Sequence, residues 1–435
     1  MNSHFSYQST NQNWIGDIPS HWSIKRLKYL THVRKELSEH GTEELLSVTE
    51  TRGIVKRKEL RNVEENISRS ENLNGYRLVR KGDLVNNIML VWKRGLGVSK
   101  YDGIVSPAYS VFSFNGDCDP NFFNYLLRSD EYITEFRRNS TGIIMSRLRL
   151  YDDSFGNVFA HLPPIEEQNL ISRYLDKKTS QIDSLVEKIQ KKVDFLNEQQ
   201  TSLINHYVTK GLNSNVEMKD SGVEWIGEIP KHWKISKFGF VASLETGNTP
   251  SKSQEDLYFS EDQNGFLWVK PSDLDVGFQG VSNSEVKLTF EGKEQSRVIP
   301  KDSILVCCIG NTSGKFSIAN CDLSTNQQIN SITFKNQILP RYGLYYMDVF
   351  GRDLLKWMNF VTLPIISKGD LSQQPVIIPP KSEQIEISEI LDKIISEQKG
   401  VVELHLQKIQ LLKEYRQSLI SSVVTGKVRI IEDMI

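Results

Sequence analysis

The chain writes one nine-residue phrase twice. WIGDIPSHW occupies Trp14–Trp22, and WIGEIPKHW occupies Trp225–Trp233, 211 residues on. Seven of the nine letters agree, and the other two exchange polar for polar. A second pair lies further along: PPIEEQNLISRYLDK from Pro163 is answered by PPKSEQIEISEILDK from Pro379. SLINHYVTKGL from Ser202 is answered by SLISSVVTGKV from Ser418, and both of these pairs are 216 residues apart. The stretch after each Pro-Pro therefore aligns without a gap, while the regions between phrase and Pro-Pro differ in length by five residues and are much less alike. Self-similarity on this scale limits the fold to two like units in tandem. The similar parts should do one mechanical job twice. The dissimilar parts should do different jobs, or the same job on different targets.

The long segments after each Pro-Pro read as helices. No Gly or Pro interrupts Glu166–Tyr207, and Leu175, Ile182, Ile189, Leu196 and Leu203 recur every seven residues, with Leu185 on the neighbouring position. Their flanks are Lys, Glu, Gln and Asp, which is the pattern of a coiled-coil seam. Pro163 and Pro164 mark the start and Gly211 the stop. In the second copy, Ile395, Val402 and Ile409 make one stripe, and Leu391, Leu412 and Leu419 another. Gln398 and His405 interrupt that second stripe, and Gly400 weakens it by about 1 kcal/mol relative to Ala. One such helix cannot bury its own seam, so the expected partner is the other copy in the same chain, and the tandem repeat suggests an internal pseudo-twofold.

The variable regions carry short runs punctuated by Gly, Asn and Asp: GDLVNNIML and GIVSPAYSVF in the first, GFLWVKPSDL, SILVCCIG and INSITF in the second. These predict strands, with a helical piece over Pro120–Asn139. The expected class is α+β, divided as first variable region 1–162, long helix 163–212, second variable region 213–378, and second long helix with tail 379–435. The apolar letters of the phrase (Trp14, Ile15, Ile18, Trp22) and its fixed Pro19 predict a packed entry into each region, against the end of the helix scaffold.

Composition excludes several classes. The opening MNSHFSYQST has neither the basic nor the apolar part of a secretory signal. The longest apolar run, ILVCCIG, fits a buried strand and not a membrane span. Cys118, Cys307, Cys308 and Cys321 show no CxxC pairing and read as reduced core or strand residues of a cytosolic protein, without a structural metal. A net charge of −1 argues against a uniformly basic nucleic-acid binder, though not against one with local basic grooves.

The tempting catalytic motifs fail on spacing. ILVCCIGNTSGKF resembles a strand and a phosphate loop, yet only three residues separate Gly310 from Gly314, and Phe316, not Ser or Thr, follows Lys315. Asp273, Glu285 and Lys287 have the loose spacing of a metal-dependent nuclease, but Asp273 reads equally well as a turn residue and the first unit has no matching trio. Neither Pro-Pro stands after the Asn or Asp of a base-methylating motif. A non-catalytic chain is expected.

The binding signal lies elsewhere. RRNSTGIIMSRLR holds Arg137, Arg138, Arg147 and Arg149 and no acid. Upstream, Arg77–Lys100 holds Arg77, Arg80, Lys81, Lys93, Arg94 and Lys100 against Asp83 alone. The second region offers Asn311, Thr312, Ser313 and Lys315 on one loop, Asn326, Gln327 and Gln328 on another, with Lys270 and Lys368 nearby. Arginine forks onto guanine or phosphate, and Asn and Gln reach adenine, so these are the candidate DNA contacts. The competing reading of each is an ordinary solvated face.

Taken together, SGVEWIGEIPKHW, LPPIEEQNLISRYLD and YVTKGLNSNVEMKDSG resemble the recurring phrases of the specificity subunits of type I restriction-modification systems, over nearly the whole chain. LVNNIMLVWKRGLGVSKYDGIVSPAYSVF and ILVCCIGNTSGKFSI look like two of that family's target-recognition subtypes. The resemblance implies two target-recognition domains on an antiparallel coiled coil, each domain reading one half of a bipartite double-stranded DNA site. It implies two modification subunits that carry S-adenosylmethionine and methylate adenine. Restriction subunits, where present, add ATP- and Mg-dependent translocation and cleavage. It also implies a cytoplasmic protein of a bacterium or archaeon that binds no cofactor itself and contacts no membrane. The first copy departs from the pattern by lacking the SGVE lead before Trp14. Two other readings stand beside this one: a coiled-coil adaptor joining two proteins without reading DNA, and a cryptic nuclease using Asp273, Glu285 and Lys287.

Overall fold

The computed structural model describes residues 6–60, 73–144, 147–251, 254–260, 264–274, 277–310, 313–354 and 365–435. The chain divides into two compact units, one of residues 1–190 with 406–435, the other of residues 191–405. Both mix strands with helices. No helix among the described residues is long and apolar enough to cross a membrane.

The first unit is built on a four-stranded antiparallel sheet in the order Thr31–Val33, Tyr109–Phe114, Leu84–Asn87, Leu96–Val98. Its two central strands, LVNN and YSVFSF, are buried on both faces along most of their length, and Asn86, Asn87 and Ser110 are buried with the apolar letters. Leu84 and Phe112 face a core with Phe122, Phe123, Leu126, Leu127, Tyr132, Phe136 and Phe155. Val85 and Val111, one residue on, face a smaller cluster with Leu46, Ile54, Val79 and Val105. The predicted helix over Pro120–Asn139 is two helices, Pro120–Leu127 and Asp130–Arg138. Asp119 caps the first by accepting from Asn121 N (3.2 Å) and Phe122 N (3.1 Å), with Pro120 at the first helical position. The break falls at Arg128. Its guanidinium turns back to donate to the carbonyls of Arg94 (2.9 Å), Glu50 (3.0 Å), Thr51 (3.1 Å) and Leu96.

The second unit repeats the plan with other letters. Its sheet runs Ala242–Thr246, Ile329–Phe334, Ile304–Cys307, Phe316–Ile318, again all antiparallel. Ile304 pairs with Ile332 where Leu84 pairs with Phe112. Ile304, Val306 and Ile332 face one core; Leu305, Cys307 and Ile329 face another. The helix Pro340–Leu354 packs on it, and Tyr342, Tyr345, Tyr346 and Phe350 are buried there. Burial of each such ring stabilises by about 2–3 kcal/mol. In both units the strand after the phrase pairs with the strand before Pro-Pro: Ser23–Arg26 with Phe159–Leu162, and Lys234–Lys237 with Pro375–Ile378.

The first long helix spans Ile165–Lys210 and the second Lys381–Val424, and the division between units falls inside each. In the first unit, Leu175, Ile182, Leu419, Ile420, Val423 and Val424 share one core, with Leu412 packed against it. Arg416 of the second helix pairs with Asp183 of the first (2.9 Å), and Arg173 pairs with Glu432 in the tail beyond the second helix (2.9 Å), so the chain runs in opposite directions along the two segments there. In the second unit, Ile204 and Val208 share a core with Ile387 and Leu391, and Ile395 packs against it. Ile189 and Ile409 are also buried; Leu196, Leu203 and Val402 are half-buried. Leu185 is exposed instead of joining the seam. The position beside each seam residue is held by Val186, half-buried, and Val193, buried. Gln398 Oε1 and His405 Nε2 are buried with no hydrogen-bond partner.

Candidate nucleic-acid interface

The phrase is fixed at its closing tryptophan. Trp22 Nε1 donates to Glu167 Oε2 (3.0 Å), and His21 Nε2 lies 2.8 Å from the same oxygen. In the second unit, Trp233 Nε1 donates to Glu383 Oε2 (2.9 Å), with His232 Nε2 2.7 Å from Glu383 Oε1. Each glutamate sits in the first turn of the long helix that follows its variable region, where a carboxylate also offsets the exposed N–H groups. The next residue is a buried glutamine. Gln168 Nε2 donates to Pro163 O (2.8 Å) and Asp117 O (3.1 Å), and its Oε1 accepts from Asp119 N (2.8 Å). Gln384 does the same with Pro379 O (2.9 Å), Gln337 O (2.9 Å) and Leu339 N (2.8 Å). The sequence reading passed over this Glu-Gln pair, although it stands at the same offset in both Pro-Pro segments.

The far side of each tryptophan meets the end of the other long helix. A Cβ on Gly426 would lie 2.5 Å from Pro19 Cδ and 3.1 Å from the Trp22 ring; one on Gly211 would lie 3.0 Å from Trp233. Both glycines have positive φ, +75° and +77°, as a helix stop requires. So each unit holds its phrase between the start of one long helix and the end of the other. The repeat even begins before the phrase: Gln8 Nε2 and Lys219 Nζ, 211 residues apart, donate to the carbonyls of Trp22 (2.7 Å) and Trp233 (2.5 Å).

In the first unit, the connection leaving the central strand Leu84–Asn87 carries Lys93 and Arg94. Lys93 is exposed, its Nζ 4.9 Å from the centre of the Trp92 ring. Arg94 is engaged: it holds a left-handed φ of 62°, pairs with Asp130 and donates to Arg128 O (3.2 Å). Burial, and after it the Arg94 and Arg416 cations, lower the pKa of Arg128 to about 10. Leu150 N donates to Ile88 O (2.9 Å), which ties the loop carrying Arg147 and Arg149 to the same end of the sheet. Thr141 N donates to Arg149 O and Arg149 N to Thr141 O, both 2.9 Å, and this closes the loop at its base. Arg137 and Arg138 enter it from the last turn of Asp130–Arg138; Arg138 lies 3.5 Å from Glu135. All four arginines are exposed. Lys100 is not brought to them. It follows Ser99, whose N donates to Asp83 O (2.8 Å) at the opposite end of the central strand. There Arg80 pairs with Glu36 (2.7 Å), as an ordinary solvated face does.

The second unit gathers its candidates around the corresponding connection. Ser313 and Lys315 lie in the turn between Ile304–Cys307 and Phe316–Ile318, closed by Cys307 N to Lys315 O (2.7 Å) and Gly314 N to Cys307 O (2.9 Å). It is a hairpin turn between antiparallel strands, not a strand-to-helix phosphate loop. Asn311 and Thr312 lie outside the described residues. Cys308 N donates to Gln328 O (2.8 Å), and Ile366 N donates to Cys308 O (2.9 Å) just as Leu150 N does to Ile88 O. Burial pushes the Cys308 thiol up to about 12. Asn326 Nδ2 donates to Gln328 Oε1 (2.9 Å), Asn326 N donates to Val269 O (3.1 Å), and Lys315 Nζ donates to Pro271 O (3.3 Å), so Lys270 belongs to this group. Gln327 is exposed and accepts from Thr249 Oγ1. Lys368 is exposed at the start of a short helix that Ser367 and Asp370 cap reciprocally. Ser313 and Asn326 are buried.

The nuclease trio does not converge. Both carboxylate oxygens of Asp273 accept backbone donors, from Lys270 N (2.7 Å) and Glu285 N (3.1 Å), which is a turn. Glu285 pairs with Lys270 (2.8 Å), and that bond lowers its pKa. Lys287 is buried and donates to Ser284 O (3.0 Å).

Residues 230–413 match the family described as Type I restriction modification DNA specificity domain. Among similar proteins, the MjaVIII specificity subunit of a type I restriction enzyme from Methanocaldococcus jannaschii is 23% identical, over 79% of this chain and 80% of its own length. The putative MjaX specificity subunit of the same organism is 22% identical over 96% of each chain. In fold, the chain is similar to one from a type I R-M system solved in a study of complex assembly and conformational transition. The TM-score is 0.68 at 19% identity, over 94% of this chain and 99% of the other.

Proposed function

We infer that this chain, which belongs to the type I restriction-modification specificity subunits, is the DNA sequence-specificity subunit of such a complex. Each recognition region reads one half of a bipartite duplex site. The observation that carries this is the pairing of like scaffold with unlike surface. The two sheets share one strand order, yet the corresponding connections present arginines in one unit and amides with lysines in the other. Like scaffold with unlike contact letters is what two different half-sites call for.

The four-part division at 162, 212 and 378 and the antiparallel coiled coil belong to the same proposal. The seven-residue seam and the opposed helix segments of the first unit support it. In this reading the coiled coil sets the spacer length and docks two modification subunits. S-adenosylmethionine sits on those, ATP and Mg on restriction subunits where the system cleaves. This chain binds DNA and positions its partners; it catalyses nothing. Contacts to phosphate come from Lys93, Arg137, Arg138, Arg147, Arg149, Lys315 and Lys368, and base contacts from Gln327 and Gln328. Single-molecule methylome sequencing of cells given this gene with its modification subunit tests the reading. One new two-part methyladenine motif is expected; no new motif overturns it.

A further inference from the structure

The basic loop of the first unit ends in an apolar tip that its packing does not explain. Ile143 is fully exposed and Ile144 is 53% exposed. An isolated exposed apolar residue is ordinary, but here two adjacent β-branched side chains crown a loop that the Thr141–Arg149 bridge holds closed. Gly142 keeps the arms together. Its φ is +153°, and a Cβ there would lie 2.7 Å from Arg147 O. Arg147 N donates to Ile144 O (2.9 Å). Leu150, directly below, is buried and tied to Ile88. The tip is therefore presented on a fixed base. Arg137 and Arg138 stand before it and Arg147 and Arg149 after it, with no acid between Arg137 and Arg149. A hydrophobic protein partner would gain little from four flanking guanidinium groups; a polyanion with an apolar feature in its groove would gain from both.

Resting on the specificity-subunit reading above, we propose that Ile143 and Ile144 enter the major groove of the first region's half-site and pack against a thymine methyl, while the flanking arginines hold the phosphates on either side. The thymine C5-methyl is the apolar group that the major groove displays, and a groove of about 12 Å admits a narrow closed loop of this kind. The tip then adds discrimination at one or two base pairs, and the arginines add grip without discrimination.

The test uses the full chain assembled with its modification subunits and a random-sequence duplex library. The wild-type complex should select a two-part motif containing thymine in one half. Replacing that thymine by deoxyuridine, which removes only the methyl, should weaken wild-type binding at least about fivefold. The paired variant Ile143→Ala, Ile144→Ala should lose the preference at that position, keep the other half-site and the spacer, and be indifferent to the deoxyuridine exchange. Arg147→Ala should instead weaken all sequences alike and reduce the salt slope by about 1. An unchanged motif and affinity in the isoleucine variant would overturn the proposal, as would equal loss on cognate and random duplexes. Equal deoxyuridine sensitivity with and without the isoleucines would sink the methyl contact. If the wild-type complex selects no motif at all, the specificity-subunit reading itself fails and takes this inference with it.

Discussion

Glu167 is the residue on which the first junction turns. Its Oε2 receives the indole of the buried Trp22, and the carboxylate is itself largely covered. Removal of such an acceptor leaves a buried donor unsatisfied, which costs about 1.5–3 kcal/mol when the lost bond was to a charged group. Glu167→Ala should therefore lower the unfolding free energy read from urea titration by that amount, and Glu383→Ala, whose bond to Trp233 is the same, should match it. An effect in only one unit would show that the two junctions are not mechanically equivalent. His161 gives a second handle. It is buried, its Nδ1 faces the Tyr132 hydroxyl (2.8 Å), and burial lowers its pKa to about 4. The folded value lies below the ordinary one of about 6.5, so the unfolded chain binds more protons between the two. Stability from this group is complete above about pH 6.5 and is lost as pH falls toward 4, by about 2 kcal/mol at pH 5. His161→Gln should remove that part of the slope, read as the difference between variant and wild-type urea unfolding at pH 7 and pH 5. Of these residues the tryptophans were plain in the sequence, because they repeat in a nine-letter phrase. Gln8 and Lys219 were not, because one contact is made by different letters, and His161 was not, because burial leaves no mark on a single letter.

The long helices were the most readable elements, and their errors are instructive. A seven-residue spacing finds the seam at Leu175, Ile182 and Ile189, since the strongest apolar letters fall there. It does not decide which neighbour completes the seam. Leu185 is the larger side chain, but Val186 and Val193 lie four residues after Ile182 and Ile189, and the helix turns those inward. The second helix was harder to read because Gln398 and His405 occupy two of its seam positions. Strand letters were legible as strands, yet the helix break at Arg128 depended on carbonyls supplied by two distant segments. The spacer proposal makes its prediction at this scale. Lys192 and Lys408 are exposed positions inside the two helices. Four residues inserted beside each add one turn, about 6 Å, and base pairs rise about 3.4 Å. Methylome sequencing should show both half-sites unchanged and a spacer longer by one or two base pairs. Altered half-sites with the old spacer would contradict the helices' role as a ruler.

At the scale of the whole molecule, the repeat separates what holds a recognition region from what the region presents. Each region is clasped by the same strand pair, Ser23–Arg26 with Phe159–Leu162 or Lys234–Lys237 with Pro375–Ile378. The clasp is completed by the same tryptophan, Glu-Gln pair and helix-ending glycine. This is the part that sequence comparison within the chain can find, since packing demands the same letters twice. The contact surface is illegible by the same method, for the residues that distinguish two targets are those in which the copies disagree. Arg94 shows the hazard: its place in a basic stretch suggested DNA, and the fold commits it to Asp130 and Arg128. If clasp and surface are separable, the regions should be interchangeable. A chain in which residues 27–158 replace residues 238–374 keeps both strand pairs, both tryptophan junctions and both long helices. It should fold and assemble, and the methylated motif should then have two halves of the same sequence, that of the original first half. A chain that folds and assembles yet still marks the original two different halves would mean that the target is read by the scaffold or its partners, and not by the regions it carries.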